Sequence, residues 1–380
     1  MKKILALFLA VIMMLGTFVA CNSANNSNGT ESQDGEQTGS DSSQEEEIDN
    51  KNKITFGSYP QSEVVDETLK ATLTSAAGAL PTSENVQNWK SYGYYADGSN
   101  ENAFMWYIDI EQGTEKYRGV YFTSYRTYYF DQASSVNNSV QDDNGYLINN
   151  VYWFKYEPIS WTILNENATD GTALILCDMI IDAQAYQIEY VQDNLVGTYY
   201  NTSEGVPSGT YANNYAYSTI RKWLNDTFYN TAFDELQKQA IVNTIVDNSA
   251  ATTDSANNKY ACENTQDNVF LLSYQDIENA DYGFTDYQNF QLGKATALRE
   301  KKTTAYARAQ GAYAYRTVKN SPKYDNGSWR LRSPSSTATG MNASKNPVYS
   351  YAVHANESIL AEDWVYSTTL GVAPALWVKR

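Results

Sequence analysis

Residues 326 to 336, NGSWRLRSPSS, set Arg330 and Arg332 two positions apart, with Trp329 and Leu331 alternating between them. A guanidinium grips a carboxylate through paired N–H groups, and an indole ring covers the apolar face of a sugar. Strand alternation sends both arginines to the face opposite Trp329 and Leu331. If that face is solvent, they are ordinary surface cations; if it is enclosed, each needs an acid or carbonyl partner. Arg330, Trp329 and Arg332 are the ligand-binding candidates.

Other chemistry is sparse. The chain has one histidine, His354, so metal sites built on two or three imidazoles are excluded. A Ser-His-Asp triad would have to use His354, in YSYAVHANES, and no G-x-S-x-G elbow accompanies it. An exposed turn histidine is the expected identity. Paired carboxylates could hydrolyse a glycoside, but no spacing singles out a pair. No catalytic residue is designated, and no cofactor or metal is expected. Cys177 lies in the apolar TALILCDMII and Cys262 in the polar NNKYACENTQ. One disulfide between them is open, and neither has the neighbours of a thiolate metal site.

The elements that must position these residues are β-rich with helices in the middle. ITFGSYPQ reads as a strand broken by Gly57 and Pro60, followed by a helix near Val64 to Ala77 and strand pieces at FMWYIDI and GVYF. PISWTILN alternates Ile159, Trp161 and Ile163 with Ser160 and Thr162, a strand with one buried face, and TALILCDMII has the continuous apolarity of a central strand. In YSTIRKWLNDTFYNTAF, Ser218 caps a helix whose inner face carries Ile220, Trp223, Leu224 and Phe228. A second helix is expected from about Thr231 through LQKQAIVNT, with Asp234 and Glu235 in its first turn. VFLLS reads as a strand, Ser273 with Asp276 opens a short helix, and 285 to 326 looks mobile. Strands follow at SWRLRSP, NPVYSYAVH, SILAEDW and GVAPALWVK. This distribution indicates an α+β domain.

The chain opens with Lys2 and Lys3 before an apolar run, Ile4 to Ala20, and then Cys21. That pattern is a secretory signal, and TFVAC resembles a bacterial lipobox in which the cysteine becomes the lipidated N-terminus. Residues 1–20 are thus expected to be a lipoprotein signal peptide. The stretch 21–53 reads as a disordered acidic tether, since it is nearly free of apolar residues. The 32 residues from Asn22 to Lys53 would hold the body roughly 30 Å from the bilayer at about 5 to 6 Å times the square root of length. From Ile54 onward there are 36 acids and 23 bases, a net charge of −13, which argues against nucleic acid. Aromatic residues make up 14% of the chain, with 32 tyrosines, which suits half-buried strands and carbohydrate-facing surfaces.

FGSYPQ, ISWTIL with ALILCDMIIDAQAY, STIRKWLNDTFYNTAF, NVFLLS, WRLRSP and GVAPALW, in that order, resemble a numbered bacterial domain-of-unknown-function family, six-two-seven-three. The resemblance covers 54–380, with 62–150 as an enlarged insertion. That family in turn resembles the C-type-lectin-like fold shared with the sulfatase-modifying enzymes. The resemblance implies a mixed domain with a curled antiparallel sheet, two main helices and an N-terminal insertion, its first and last strands paired. It implies no activity. The family usually carries Trp where this chain has Arg330 and Arg where it has Ala373. Arg332 stands in the matching LRSP and Arg330 does not. Arg332 is therefore expected to be at least half buried as a structural pin, and Arg330 to be more exposed and free to touch a partner. The cysteines that hold copper in the enzyme relatives have no counterpart after Cys262. EPI at 157–159 and WLND at 223–226 depart from the calcium-dependent sugar motifs they resemble.

The expected function is a surface-tethered bacterial lipoprotein displaying a lectin-like binding module for extracellular glycan or protein. It would be lipid-anchored through Cys21 to the outer face of the cell membrane. A structural envelope lipoprotein without a small ligand ranks second, and a carboxylate-dependent hydrolase a distant third.

Overall fold

The computed structural model describes residues 52–82, 84–92, 104–126, 140–193, 198–284, 298–336, 348–355 and 359–380. The signal segment, Cys21 and the tether up to Lys51 lie outside the described residues, as do 285–297. Among the described residues no helix is long and apolar enough to cross a membrane.

Ile48–Arg380 forms one compact unit. Its first half contains β1 (Lys53–Glu63), α1 (Glu67–Ala77), β2 (Lys90–Ser91), β3 (Met105–Gln112), β4 (Glu115–Phe122), α2 (Val140–Asp143), β5 (Val151–Asn167), β6 (Thr172–Cys177) and β7 (Asp182–Ala183). A ribbon of β8 (Tyr190–Asp193) and β9 (Thr198–Asn201) leads to α3 (Thr219–Trp223), a π-helical segment Leu224–Phe228, α4 (Tyr229–Ala232) and α5 (Glu235–Ala240). Then come β10 (Ile241–Val242), β11 (Thr244–Val246), β12 (Thr265–Asp267), α6 (Ala305–Ala309), β13 (Trp329–Pro334), β14 (Tyr349–Val353), β15 (Ile359–Trp364), β16 (Gly371–Val372) and β17 (Ala375–Lys379). Open, mainly antiparallel sheets with few helices make this an α+β protein.

β5 organises the larger sheet. At Phe154 it pairs with both Glu63 and Arg118, and at Trp161 with both Ile54 and Cys177. β1 therefore runs along one edge of this 17-residue strand, while β4 and β6 share the other edge at opposite ends. β17 pairs with β6 and with β10. The first and last strands lie in one sheet without pairing, which corrects that expectation: β6 occupies the position between β5 and β17. The smaller sheet has the order β15-β14-β13-β16-β7, with β13 and β16 parallel.

Several local readings are revised. The inner face of the 219–232 helix is as expected, with Ile220, Trp223, Leu224 and Phe228 buried and Ser218 Oγ accepting from Arg221 N–H. The next helix stops at Ala240, because Ile241 turns to extended backbone and β10 joins the sheet beside β17. Asp234 caps it reciprocally with Gln237. VFLLS is buried but irregular, with Phe270 bridging Ala375 in place of a strand. Ser273 and Asp276 exchange backbone bonds as a cap, opening one 3-10 turn, Asp276–Glu278. Cys177 and Cys262 are free thiols.

The insertion has a small core of its own around Trp89, Trp106 and Trp153, and it also grips the segment after α6. Arg118 forms a bidentate pair with Asp109 at 2.8 Å for each bond and reaches Tyr306 Oη at 3.3 Å. Arg126 Nη1 donates to the carbonyls of Ala183 and Gln310, and Gln141 Nε2 donates to that of Ala309 at 2.7 Å. Residues 298–326, expected to be mobile, are thereby held: burial and side-chain bonds to backbone fix a stretch that has little strand of its own.

Candidate functional site

The answer for SWRLRSP is an enclosed face. Trp329 is 0% exposed, Arg330 0% and Arg332 5%. Trp329 and Leu331 pack into an apolar cluster with Leu174, Leu176 and Ala373, and the indole N–H donates to Arg299 O. On the opposite face, Arg332 Nη1 donates to Leu271 O at 2.8 Å and to Asp276 Oδ2 at 2.7 Å, while Nη2 reaches Asp247 O. Arg332 is a structural pin, as expected. Arg330 departs from its expected exposure. Its Nε donates to Gln184 O, its Nη1 to Ser350 Oγ and its Nη2 to the carbonyls of Trp364 and Ser367. The physical reason is that β14 and the 363–367 turn cover this face, so the guanidinium makes four hydrogen bonds, to three carbonyls and one hydroxyl, where a tryptophan would have offered one donor. Ala373 sits in the cluster around Trp329, so the two departures from the family pattern do not share a site.

A neighbour of Arg330 nevertheless lines an open cleft. Asp363, at the end of β15, feels the Arg330 charge and lines a cavity of about 510 Å³ together with Tyr313, Tyr315, Lys323, Ser328 and His354. That volume lies in the range of small-molecule sites. Burial lifts the Asp363 carboxyl above its ordinary value, although Arg330 and hydrogen bonds from Ser367 and Trp364 oppose the shift. Burial also lowers His354, so its imidazole is neutral at pH 7, with one donor and one acceptor nitrogen. Among the described residues that ring makes no hydrogen bond. Arg330 itself is pushed down to about 10 by burial and remains a cation.

A short ribbon presents the two tyrosines. Ala314 bridges Gly327 in antiparallel fashion, Tyr315 N–H donates to Asn326 O at 2.7 Å, and Asp325 N–H donates to Tyr315 O at 2.7 Å. Two residues, Asp325 and Asn326, thus oppose Tyr315, a bulge that places Asp325 at φ 67. Alternation about the Ala314–Gly327 pair puts Tyr313, Tyr315 and Ser328 on one face, the cleft face. Tyr313 is 42% exposed. None of these residues was singled out from sequence. The Tyr-x-Tyr spacing in AYAYR was the available signal, hidden by reading 285–326 as mobile.

Ser328, His354 and Asp363 line the same cleft, yet they do not form a relay. Ser328 Oγ accepts from Ala355 N–H at 3.2 Å, and no bond joins it to His354. Nucleophile activation needs that bond. Among the described residues no group of three or more His, Cys, Asp or Glu side chains is placed to hold a metal ion.

A family model described as "Domain of unknown function (DUF6273)" matches residues 170–380. The chain belongs to this family. Within DUF6273 fall the ribbon, His354, Asp363 and both arginines, whereas β1 to β5 and the insertion precede the matched region, so FGSYPQ and ISWTIL lie outside it. No curated protein and no solved structure matches the chain.

Proposed function

We propose that this protein is a bacterial surface lipoprotein whose body is a lectin-like binding module that takes a saccharide in the Tyr313–His354–Asp363 cleft. The observation that carries the reading is the convergence of two tyrosine rings from one ribbon face, a neutral imidazole that makes no hydrogen bond among the described residues, and a partly buried carboxyl in one open cavity. Tyrosine rings cover the C–H faces of a sugar, and the imidazole and carboxyl meet its hydroxyls. The open antiparallel sheets support a lectin-like architecture. Lys2, Lys3, the apolar run to Ala20 and Cys21 support lipid anchorage, and the acidic tether supports display away from the bilayer.

A glycan array probed with the full chain tests the binding reading. Retention of a saccharide is expected, with signal reduced at least tenfold for His354→Ala and Tyr313→Ala. An array without signal would remove the reading in favour of a structural envelope role. Labelled fatty acid should be incorporated by the wild type and not by Cys21→Ser; equal labelling would count against the anchor.

A further inference from the structure

A second cavity, of about 540 Å³, shares no lining residue with the Tyr313–His354–Asp363 cleft. One set of its lining residues comes from β1 and β5, the other from 302–308 and 324–325. The two sets carry opposite charges that the chain does not match. From β1 and β5 come Glu63 and Glu157, both lining the cavity. Glu63 Oε2 accepts from Tyr146 Oη at 3.2 Å and Glu157 Oε2 from Ser62 N–H at 3.1 Å. Among the described residues neither carboxylate has a cation within ion-pair distance. From the other set come Lys302 and Arg308. Lys302 Nζ is held by the carbonyls of Pro322 and Tyr324, not by an acid. Arg308 Nη1 donates to Thr303 O at 2.8 Å and stands 3.6 Å from Asp325 Oδ1, which lies 3.3 Å from Arg316 Nε as well. Arg308 Nη2 has no acceptor and is not enclosed, so its N–H groups are open to a ligand in the cavity that Arg308 lines. Tyr146 Oη lies 2.9 Å from Ala305 O, which sets the Glu63 carboxylate beside α6, the helix that bears Arg308.

We propose that this second cavity binds a small zwitterion, a free amino acid or a short peptide with unblocked ends, its carboxylate on Arg308 and its ammonium on Glu63 and Glu157. A guanidinium N–H and a carboxylate, or an ammonium and a carboxylate, form charge-assisted hydrogen bonds, the stronger kind. A bare anion would meet two glutamates, and a bare cation would leave the arginine unused. A molecule with both charges satisfies each wall, and the volume admits one. Met179 and Ala305 offer the remaining apolar lining, enough for a small side chain.

Titration calorimetry on the full chain with alanine and with dialanine, each also as its N-acetyl and its amide derivative, tests the site. At least one of the two zwitterions should bind about tenfold or more tightly than both of its blocked forms, and the tighter zwitterion gives the ligand's length. Arg308→Gln should bring that zwitterion to the affinity of its amide while leaving the amide unchanged. Glu63→Gln combined with Glu157→Gln keeps the acceptors for Tyr146 and Ser62, and should bring it to the affinity of its N-acetyl form. The comparison of free with blocked ligands uses the wild type, so it decides the matter even where Arg308→Gln, which also loses the Thr303 bond, does not fold. Equal affinity of free and blocked forms, no binding of either zwitterion, or undiminished affinity in the double glutamate variant overturns the site. None of these outcomes bears on the saccharide cleft.

Discussion

Arg330 and Arg332 show how differently two buried cations on one strand face can be satisfied. Arg332 has a carboxylate. Burial by itself would raise Asp276, but the Arg332 charge and the bonds from Ser273 outweigh it and hold the carboxyl below its ordinary value. A depressed folded-state carboxyl contributes stability that is present above its unfolded value, about pH 3.9, and is lost as pH falls through the folded one. The wild type should therefore lose stability below about pH 4 more steeply than Asp276→Asn, as read by urea midpoints. Parallel curves would contradict the pairing. Arg330 has no carboxylate within ion-pair distance among the described residues and is held by three carbonyls and one hydroxyl. Arg330→Ala strands those acceptors in the interior, and a cost of about 3 to 5 kcal/mol is expected. A change within about 0.5 kcal/mol, the range of ordinary surface substitutions, would mean that the face is open in solution.

At the scale of elements, β17 contributes more than its five residues suggest. It is hydrogen-bonded along β6 from Thr172 to Leu176 and to β10, and Leu376 and Val378 enter the main core while Ala375 enters the second. Deleting residues 373–380 would expose the inner edge of β6 and empty both clusters. The shortened chain is expected to give no cooperative melting transition by circular dichroism. An unchanged melting curve would show that β6 can serve as an edge. The helix beside this sheet carries its π-helical turn at Leu224–Phe228, where Asn225 reaches across to Val269 and Asn268. That cross-bonding gives the widened turn a packing role, joining the helix to the irregular 268–273 stretch.

For the whole molecule, the insertion matters because it supports a site that lies within the family region. Gln141 accepts from Arg126 N–H and donates to Ala309 O, and Asn144 Nδ2 donates to Ala312 O, one residue before Tyr313. Val140 lines the cleft directly. Gln141→Leu should cost about 1 to 3 kcal/mol, since it leaves two buried backbone groups unpaired. It should also weaken saccharide binding, although residue 141 does not line the cleft. Calorimetry on the folded variant at low temperature separates the two effects, and undiminished affinity would make the insertion a bystander.

The alternation of Ile159, Trp161 and Ile163, the unbroken apolarity of TALILC and the Ser218 cap are local signals, and they located β5, β6 and the 219–232 helix without tertiary information. That Arg330 and Arg332 turn to the face away from Trp329 and Leu331 was the expectation of a backbone period of two, although β13 carries a register irregularity between Arg330 and Pro334 that no local pattern announced. Whether that face was wet or dry was not legible. It depended on β14 and on the 363–367 turn, and on which acceptors those segments brought within reach. The cleft was hidden for the same reason. Tyr313, Ser328, His354 and Asp363 come from four separate segments and become neighbours only when the ribbon, β14 and β15 pack together. Periodicity and capping are written in residues a few positions apart, whereas burial, charge pairing and a shared cavity are set by chain segments whose approach no local pattern encodes.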